Sequence, residues 1–140
     1  MNSKGIYLNF TEKIKNKFDN GKGKVDIPLQ TNNTFKAKAT KEGIELDNLG
    51  NYPLLEWKVF DEIENLFKEK GPAVLKGDAM NYKLGESGLP IDSIEGRVAY
   101  KVYNKELGDS VFRRISPIVG ILRWADICDN QNKYLVLTDQ

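Results

Sequence analysis

"SVFRRISPIVGILRWADICDNQNKYLVLT", Ser110 to Thr138, is the stretch on which the fold turns. Two adjacent arginines lead into an apolar run, and a polar turn and an apolar tail close it. It is either a piece of core or a reading head for nucleic acid with its supporting wing. Asp109 or Ser110 can cap a helix here, and so can Ser116, because Pro117 suits the first helical position. A continuous helix over 110–127 would place that proline in its interior at about 3 kcal/mol. The spacing therefore predicts a break near Ser116 and a helix beyond it, with Ile118, Ile121, Leu122 and Ala125 as the buried stripe. Asp129 to Asn132 reads as a polar turn. Tyr134 to Leu137 reads as a strand that returns to pair around Ile127-Cys128.

Working back from there, Asp92 or Ser93 caps a helix through "IEGRVAYKVYN", with Ile94, Val98 and Val102 at i,i+4 spacing. Gly96 weakens that helix by about 1 kcal/mol relative to alanine unless close packing requires it. "LLEWKVFDEIENLFKEKG" has the clearest helical period of the chain. Phe60, Ile63 and Phe67 share one face, and Gly71-Pro72 ends it. "AVLKGDAM" fits a short strand or a small helix. Nearer the amino end, Ile6 to Phe10 fits a short strand or a helix entry. "TEKIKNKFDNG" is a short helix with Thr11 as N-cap. "KVDIPLQ" alternates as a strand, and Pro28 confines it to a sheet edge. "TFKAKATKEGIELDNL" reads as a hairpin turning at Lys41-Glu42-Gly43. These elements predict an α+β protein. Residues 1–50 form a small strand-containing region with one short helix, and residues 51–140 form a helical domain with a carboxy-terminal β-hairpin.

The chain has 140 residues, enough to bury roughly two-thirds of its unfolded surface without a disulfide or metal staple. The uncharged run Ile115 to Leu122 is far too short to span a bilayer. The amino-terminal "MNSKGIYLNF" lacks the long apolar region of a signal peptide. Cys128 is the single cysteine, so no internal disulfide forms and a cytoplasmic location is expected. The chain has no histidine, which excludes Ser-His-Asp and Cys-His catalysis and histidine metal ligands. No metal and no cofactor is expected. Net charge is +1, but its distribution is uneven. Lysines dominate residues 1–24 and acids dominate residues 42–70. Residues 93–123 are basic again. A local basic patch attracts phosphates even on a nearly neutral protein.

A helix at 54–70, a helix at 93–104, a helix ending near Ile127 and then a short hairpin follow the order of a winged helix. "FRRISPIVGILRWADICDNQNKYLVLT" resembles the last helix and wing of winged-helix domains such as the amino-terminal domain of Mrr-type restriction proteins. The likeness covers residues 54–138. It rests on the arginines, the helix, the exit Trp124-Ala125-Asp126-Ile127-Cys128, the polar turn and the closing Leu135-Val136-Leu137-Thr138. Asp126 stands where many such domains have glycine, Pro117 interrupts the helix, and the wing's only basic residue is Lys133. The resemblance implies a restriction-related, non-catalytic protein that binds double-stranded DNA through a basic helical face.

Under that reading Arg97 and Lys101, four residues apart, track phosphates, and Lys105 follows in the next turn. Arg113 and Arg114 point about 100° apart on a helix, so that one meets the groove, where a guanidinium can bond bidentately to guanine or phosphate. Arg123 lies farther along, and Lys133 is the wing contact. The structural alternative pairs Arg113 and Arg114 with Glu95, Glu106 or Asp109. A protein-interaction module, favoured by the low net charge and the acidic stretch from Glu42 to Glu69, is the rival function. A small Mg²⁺-dependent nuclease is another: Asp47 with Glu56-Trp57-Lys58 loosely echoes a D…ExK site, although here the ExK opens a helix instead of lying on a strand. Trp57, Trp124, Tyr100 and Tyr103 are either base-stacking or core residues, and Cys128 reads as a small buried hydrophobe.

Overall fold

A computed structural model describes residues 9–29 and 33–138; the expected element at 6–10 lies outside them as far as residue 8. Helix α1, Phe10–Asn20, is capped by Asn9, whose side chain accepts from the Glu12 amide at 3.1 Å. Thr11 is not the cap. Its hydroxyl donates to Asp61 Oδ1 at 2.7 Å, tying this helix to the next one. Four antiparallel strands follow in the order β1-β2-β3-β4: β1 Lys24–Pro28, β2 Thr34–Ala39, β3 Gly43–Leu46 and β4 Leu54–Glu56. Period-2 alternation turns Phe35 and Ala37 inward and leaves Lys36 and Lys38 in solvent. Pro28 ends β1 at the sheet edge, where its missing N–H leaves no ladder bond unmade.

Leu54 to Glu56 are the fourth strand and not, as the helical period suggested, the first turn of the long helix. Leu55 stands opposite Ile44, and burying it in the sheet outweighs extending the helix by a turn. Helix α2 is Trp57–Lys70, with Val59, Phe60, Ile63, Leu66 and Phe67 buried. The remaining elements are β5 Ala73–Leu75, α3 Ile94–Lys101, α4 Ile115–Trp124, β6 Cys128–Gln131 and β7 Tyr134–Leu137. The last three strands make a second antiparallel sheet ordered β5-β7-β6. Ser93 caps α3 by accepting from the Gly96 amide at 3.0 Å. Gly96 is required there, because a Cβ would fall 2.0 Å from the Pro90 carbonyl oxygen. The carboxy-terminal turn is tighter than expected. Strand β6 runs through Gln131, and Asn132, at φ 56°, begins the reversal.

The described residues thus form an α+β fold of four helices and two small antiparallel sheets. One apolar core runs through them, with Phe10 and Phe18 from α1, Ile27 and Phe35 from the first sheet, Phe60 from α2 and Ile118 and Leu122 from α4. Residue 50, the expected boundary between an amino-terminal and a carboxy-terminal part, falls between two paired strands of the first sheet. A smaller cluster of Leu84, Leu89, Ala99 and Val111 supports the turns between β5 and α3. Among the described residues no helix is long and apolar enough to cross a membrane.

Candidate nucleic-acid interface

Helix α4 is core. Ile115, Pro117 and the run Ile118 to Leu122 are buried, and only Ser116 and Arg123 are exposed along it. Its Pro117 lies in the first turn, where an N–H has no intrahelical partner to lose. The first sheet covers the flank of the helix. A Cβ on Gly120 would sit 2.9 Å from Phe35 Cε1 and 3.3 Å from Ile27 Cγ2. Trp124, at the far end, packs edge-on against Phe18 of α1 with ring centroids 4.9 Å apart. A helix packed in this way leaves only a narrow outward edge, marked by the exposed Ser116 and Arg123.

The basic residues expected to form one helical face divide into two kinds. Arg97 is buried and bidentate to Glu69, at 3.0 and 2.6 Å, while its Nε donates to Glu62 at 3.1 Å. That clamp joins α3 to α2. It raises the guanidinium pKa further and holds the Glu69 carboxyl below its ordinary value, with the Arg97 hydrogen bond as the first cause in both. Arg97 is therefore unavailable to a phosphate. Lys101 lies within electrostatic reach of the same Glu69. Lys105 is exposed in the turn beyond α3, where its amide bonds the Ala99 carbonyl.

Arg113 and Arg114 lie before α4, not on it, in chain without regular secondary structure, where Arg113 is exposed and Arg114 is buried. Arg114 is buried. Its guanidinium lies 3.8 Å from the Tyr103 ring centroid and 4.8 Å from that of Phe112, and it donates to the Phe112 carbonyl at 3.3 Å. The acid that orients this turn is Glu95, but through the backbone. Its carboxylate accepts from the Arg114 amide at 2.9 and 3.2 Å and from the Ile115 amide at 3.1 Å. The buried carboxylate thereby satisfies orphan N–H groups at the start of α4. Arg114, like Arg97, is removed from the set of phosphate contacts.

Arg113 and Arg123 are exposed and form no ion pair among the described residues. Both line a groove of about 510 Å³ between the end of β1, the turn after β5 and the outer edge of α4. A third cation, Lys76, enters from that turn. Its position is fixed by its own backbone: the Lys76 amide donates to the Lys133 carbonyl at 2.8 Å, and its carbonyl accepts from the Glu95 amide at 3.0 Å. The Lys76 ammonium is half-buried, donates to Asn130 Oδ1 at 2.6 Å, and has its pKa lowered by that burial. Asp78 also lines the groove, but its carboxylate is occupied by the Met80 and Asn81 amides and the Asn81 side chain at 2.9–3.1 Å. These bonds, led by the Asn81 side chain, and the nearby Arg113 lower its pKa.

Lys76, Gly77 and Asp78 also form one wall of a second groove, of about 410 Å³, which continues to Tyr82, Gly88 and Lys133 on the hairpin turn. Of the residues expected from the sequence, Arg113, Arg123 and Lys133 thus lie along adjoining concave surfaces. Lys76 and Tyr82 were missed. "KGDAM" carries no phosphate-loop pattern, and only the pairing of β5 with β7 brings Lys76 beside the hairpin.

The residues of the nuclease reading are engaged separately. Asp47 accepts from the Lys36 amide at 2.9 Å, and Glu56, at the end of β4, stands 3.7 Å from Lys58. Among the described residues no group of three His, Cys, Asp or Glu side chains could hold a metal ion. Trp57 donates from its indole to the Thr40 carbonyl and lies beneath Lys15. Cys128 is buried, which pushes its thiol up to about 12. Comparison with protein-family models, curated proteins and solved structures returns no match.

Proposed function

We propose that the chain is a non-catalytic nucleic-acid-binding protein built on a winged-helix scaffold, holding phosphates with Lys76, Arg113, Arg123 and Lys133. One observation carries the reading: these four cations, from four separate segments, line two adjoining grooves, and none is in an ion pair among the described residues. Arginine and lysine that are not already neutralised within the fold are the groups that displace counterions from a polyanion. The order α2-β5-α3-α4-β6-β7, with the sheet ordered β5-β7-β6, supports the scaffold. A cytoplasmic location and a restriction-related role belong to the same proposal, and a lone buried thiol suits a reducing compartment.

Fluorescence anisotropy of a labelled DNA oligonucleotide against salt tests it. Four neutralised phosphates give a log–log slope of about −3.6 on a duplex and about −2.8 on a single strand. Arg113→Ala/Arg123→Ala reduces the slope by about 1.5 to 2, whereas Lys101→Ala, on the Glu69 side of α3, leaves it unchanged. Absence of binding at low salt, or a slope indifferent to the double substitution, overturns the reading.

A further inference from the structure

We infer that the ligand of the two grooves is a single strand of nucleic acid, laid across Lys76 to Asp78 with a base stacked on Tyr82. The inference rests on the nucleic-acid reading above and deepens it. Three features set a strand apart from a duplex.

The first is what the fold withholds. Reading a duplex with an α-helix requires a helix that projects into a major groove about 12 Å wide. Helix α4 packs against β1, β2 and α1, so that along it only Ser116 and Arg123 are exposed and Trp124 is partly so. The second feature is shape. The cations line concave surfaces of about 510 and 410 Å³ that share Lys76, Gly77 and Asp78 as a common wall. Each lies in the size range of pockets that enclose a small ligand. A flexible backbone can pass from one to the other, and a rigid duplex cannot enter either.

The third feature is a stacking surface. The Tyr82 ring rests directly on Gly88, where a Cβ would fall 2.1 Å from both Cδ2 and Cε2. Backbone so close on one side holds the ring in place, and the residue is still 40 % exposed at the second groove. An aromatic platform beside a cationic track is the arrangement by which single strands are held without regard to sequence, since every base has a π-face. Charge complementarity points the same way, since the linings of the two grooves carry Lys76, Arg113, Arg123 and Lys133 against a single carboxylate. The one carboxylate shared by both grooves, Asp78, is taken up by three hydrogen bonds within its own turn.

The test measures anisotropy of labelled oligo(dT), oligo(U) and a mixed-sequence DNA duplex of equal length on the full chain. Either strand should bind at least about tenfold tighter than the duplex, and the two strands distinguish a DNA from an RNA ligand. Tyr82→Ala should weaken strand binding by about five- to a hundredfold, the range expected for one stacked base. Tyr82→Phe, which keeps the ring face, should bind within about twofold of the wild type. Thermal unfolding of Tyr82→Ala, followed by circular dichroism, separates lost stacking from lost fold. If the duplex binds as well as the strands and depends on Arg113 and Arg123, or if folded Tyr82→Ala binds oligo(dT) like the wild type, the strand inference fails while the nucleic-acid reading stands. If no oligonucleotide binds at low salt, both fail.

Discussion

Glu95→Gln should abolish a pH dependence of stability that the wild-type protein shows between about pH 5 and 7.5. Glu95 is 1 % exposed and, among the described residues, has no cation in ion-pair contact; its hydrogen bonds come from two backbone amides. Burial pushes its carboxyl up to about 7 from an ordinary 4.5, against the opposing pull of those amides and of the Arg114 and Arg113 charges. In this range the folded state therefore holds a proton that the unfolded chain has released. Stability is fully present below the unfolded value and is lost as pH rises through the folded one. A gap from 4.5 to about 7 amounts to about 3 kcal/mol in all, of which about 2 kcal/mol is lost between pH 5 and 7.5. The window is clean, because the chain has no histidine and Cys128 titrates near 12; the terminal amine, at about 7.7–8.0, lies above it. Urea unfolding followed by the fluorescence of Trp57 and Trp124 measures the slope. Glutamine keeps an oxygen for the amides and stays neutral, so its stability should be flat over the same range and equal or exceed that of the wild type at the upper end. A wild-type protein that gains stability from pH 5 to 7.5, or a variant that keeps the wild-type slope, would refute the argument.

Three further outcomes follow from the packing. Arg97→Ala should destabilise by about 1–3 kcal/mol in urea, the worth of hydrogen bonds to charged groups, because Glu62 and Glu69 are partly exposed and regain water. Arg97→Lys should not restore it, since one ammonium cannot reproduce the fork that spans both carboxylates. Gly120→Ala places a methyl 2.9 Å from Phe35, and overpacking at about 1–3 kcal/mol should match or exceed the roughly 1 kcal/mol gained in helix propensity, so thermal unfolding should show no stabilisation. Cys128 should be inert to a thiol-reactive disulfide reagent at about pH 8 and should react once urea exposes it, because thiolate is the reactive form.

The elements were legible where local period and punctuation agreed. Ser93, Pro117 and the alternating Phe35-Ala37 each have a physical meaning that needs no knowledge of the rest of the chain. The helical period runs over 54–70, about one turn longer than α2, because Leu54 and Leu55 continue its apolar stripe. What moves them into β4 is the partner Ile44, and a nonlocal pairing leaves no trace in a window of helical length. Asn9 caps α1 ahead of Thr11 for a similar reason: Thr11 is drawn away by Asp61, fifty residues distant.

The site was less legible, because a cation looks the same in sequence whether it is bound within the fold or free. Arg97 and Arg113 are both basic residues in the basic stretch 93–123. Glu62 and Glu69, one helix back, neutralise the first and leave the second alone. Arg113 and Arg114 are adjacent, yet Glu95 grips the backbone of Arg114 and so fixes which of the two turns inward onto Tyr103. With Arg114 buried, Arg113 is left lining the groove that the end of β1 also borders. The same carboxylate that starts α4 therefore selects the arginine that remains for a ligand. Loss of the Glu95 grip should consequently disturb binding through the placement of Arg113, even though Glu95 itself is out of reach of any strand.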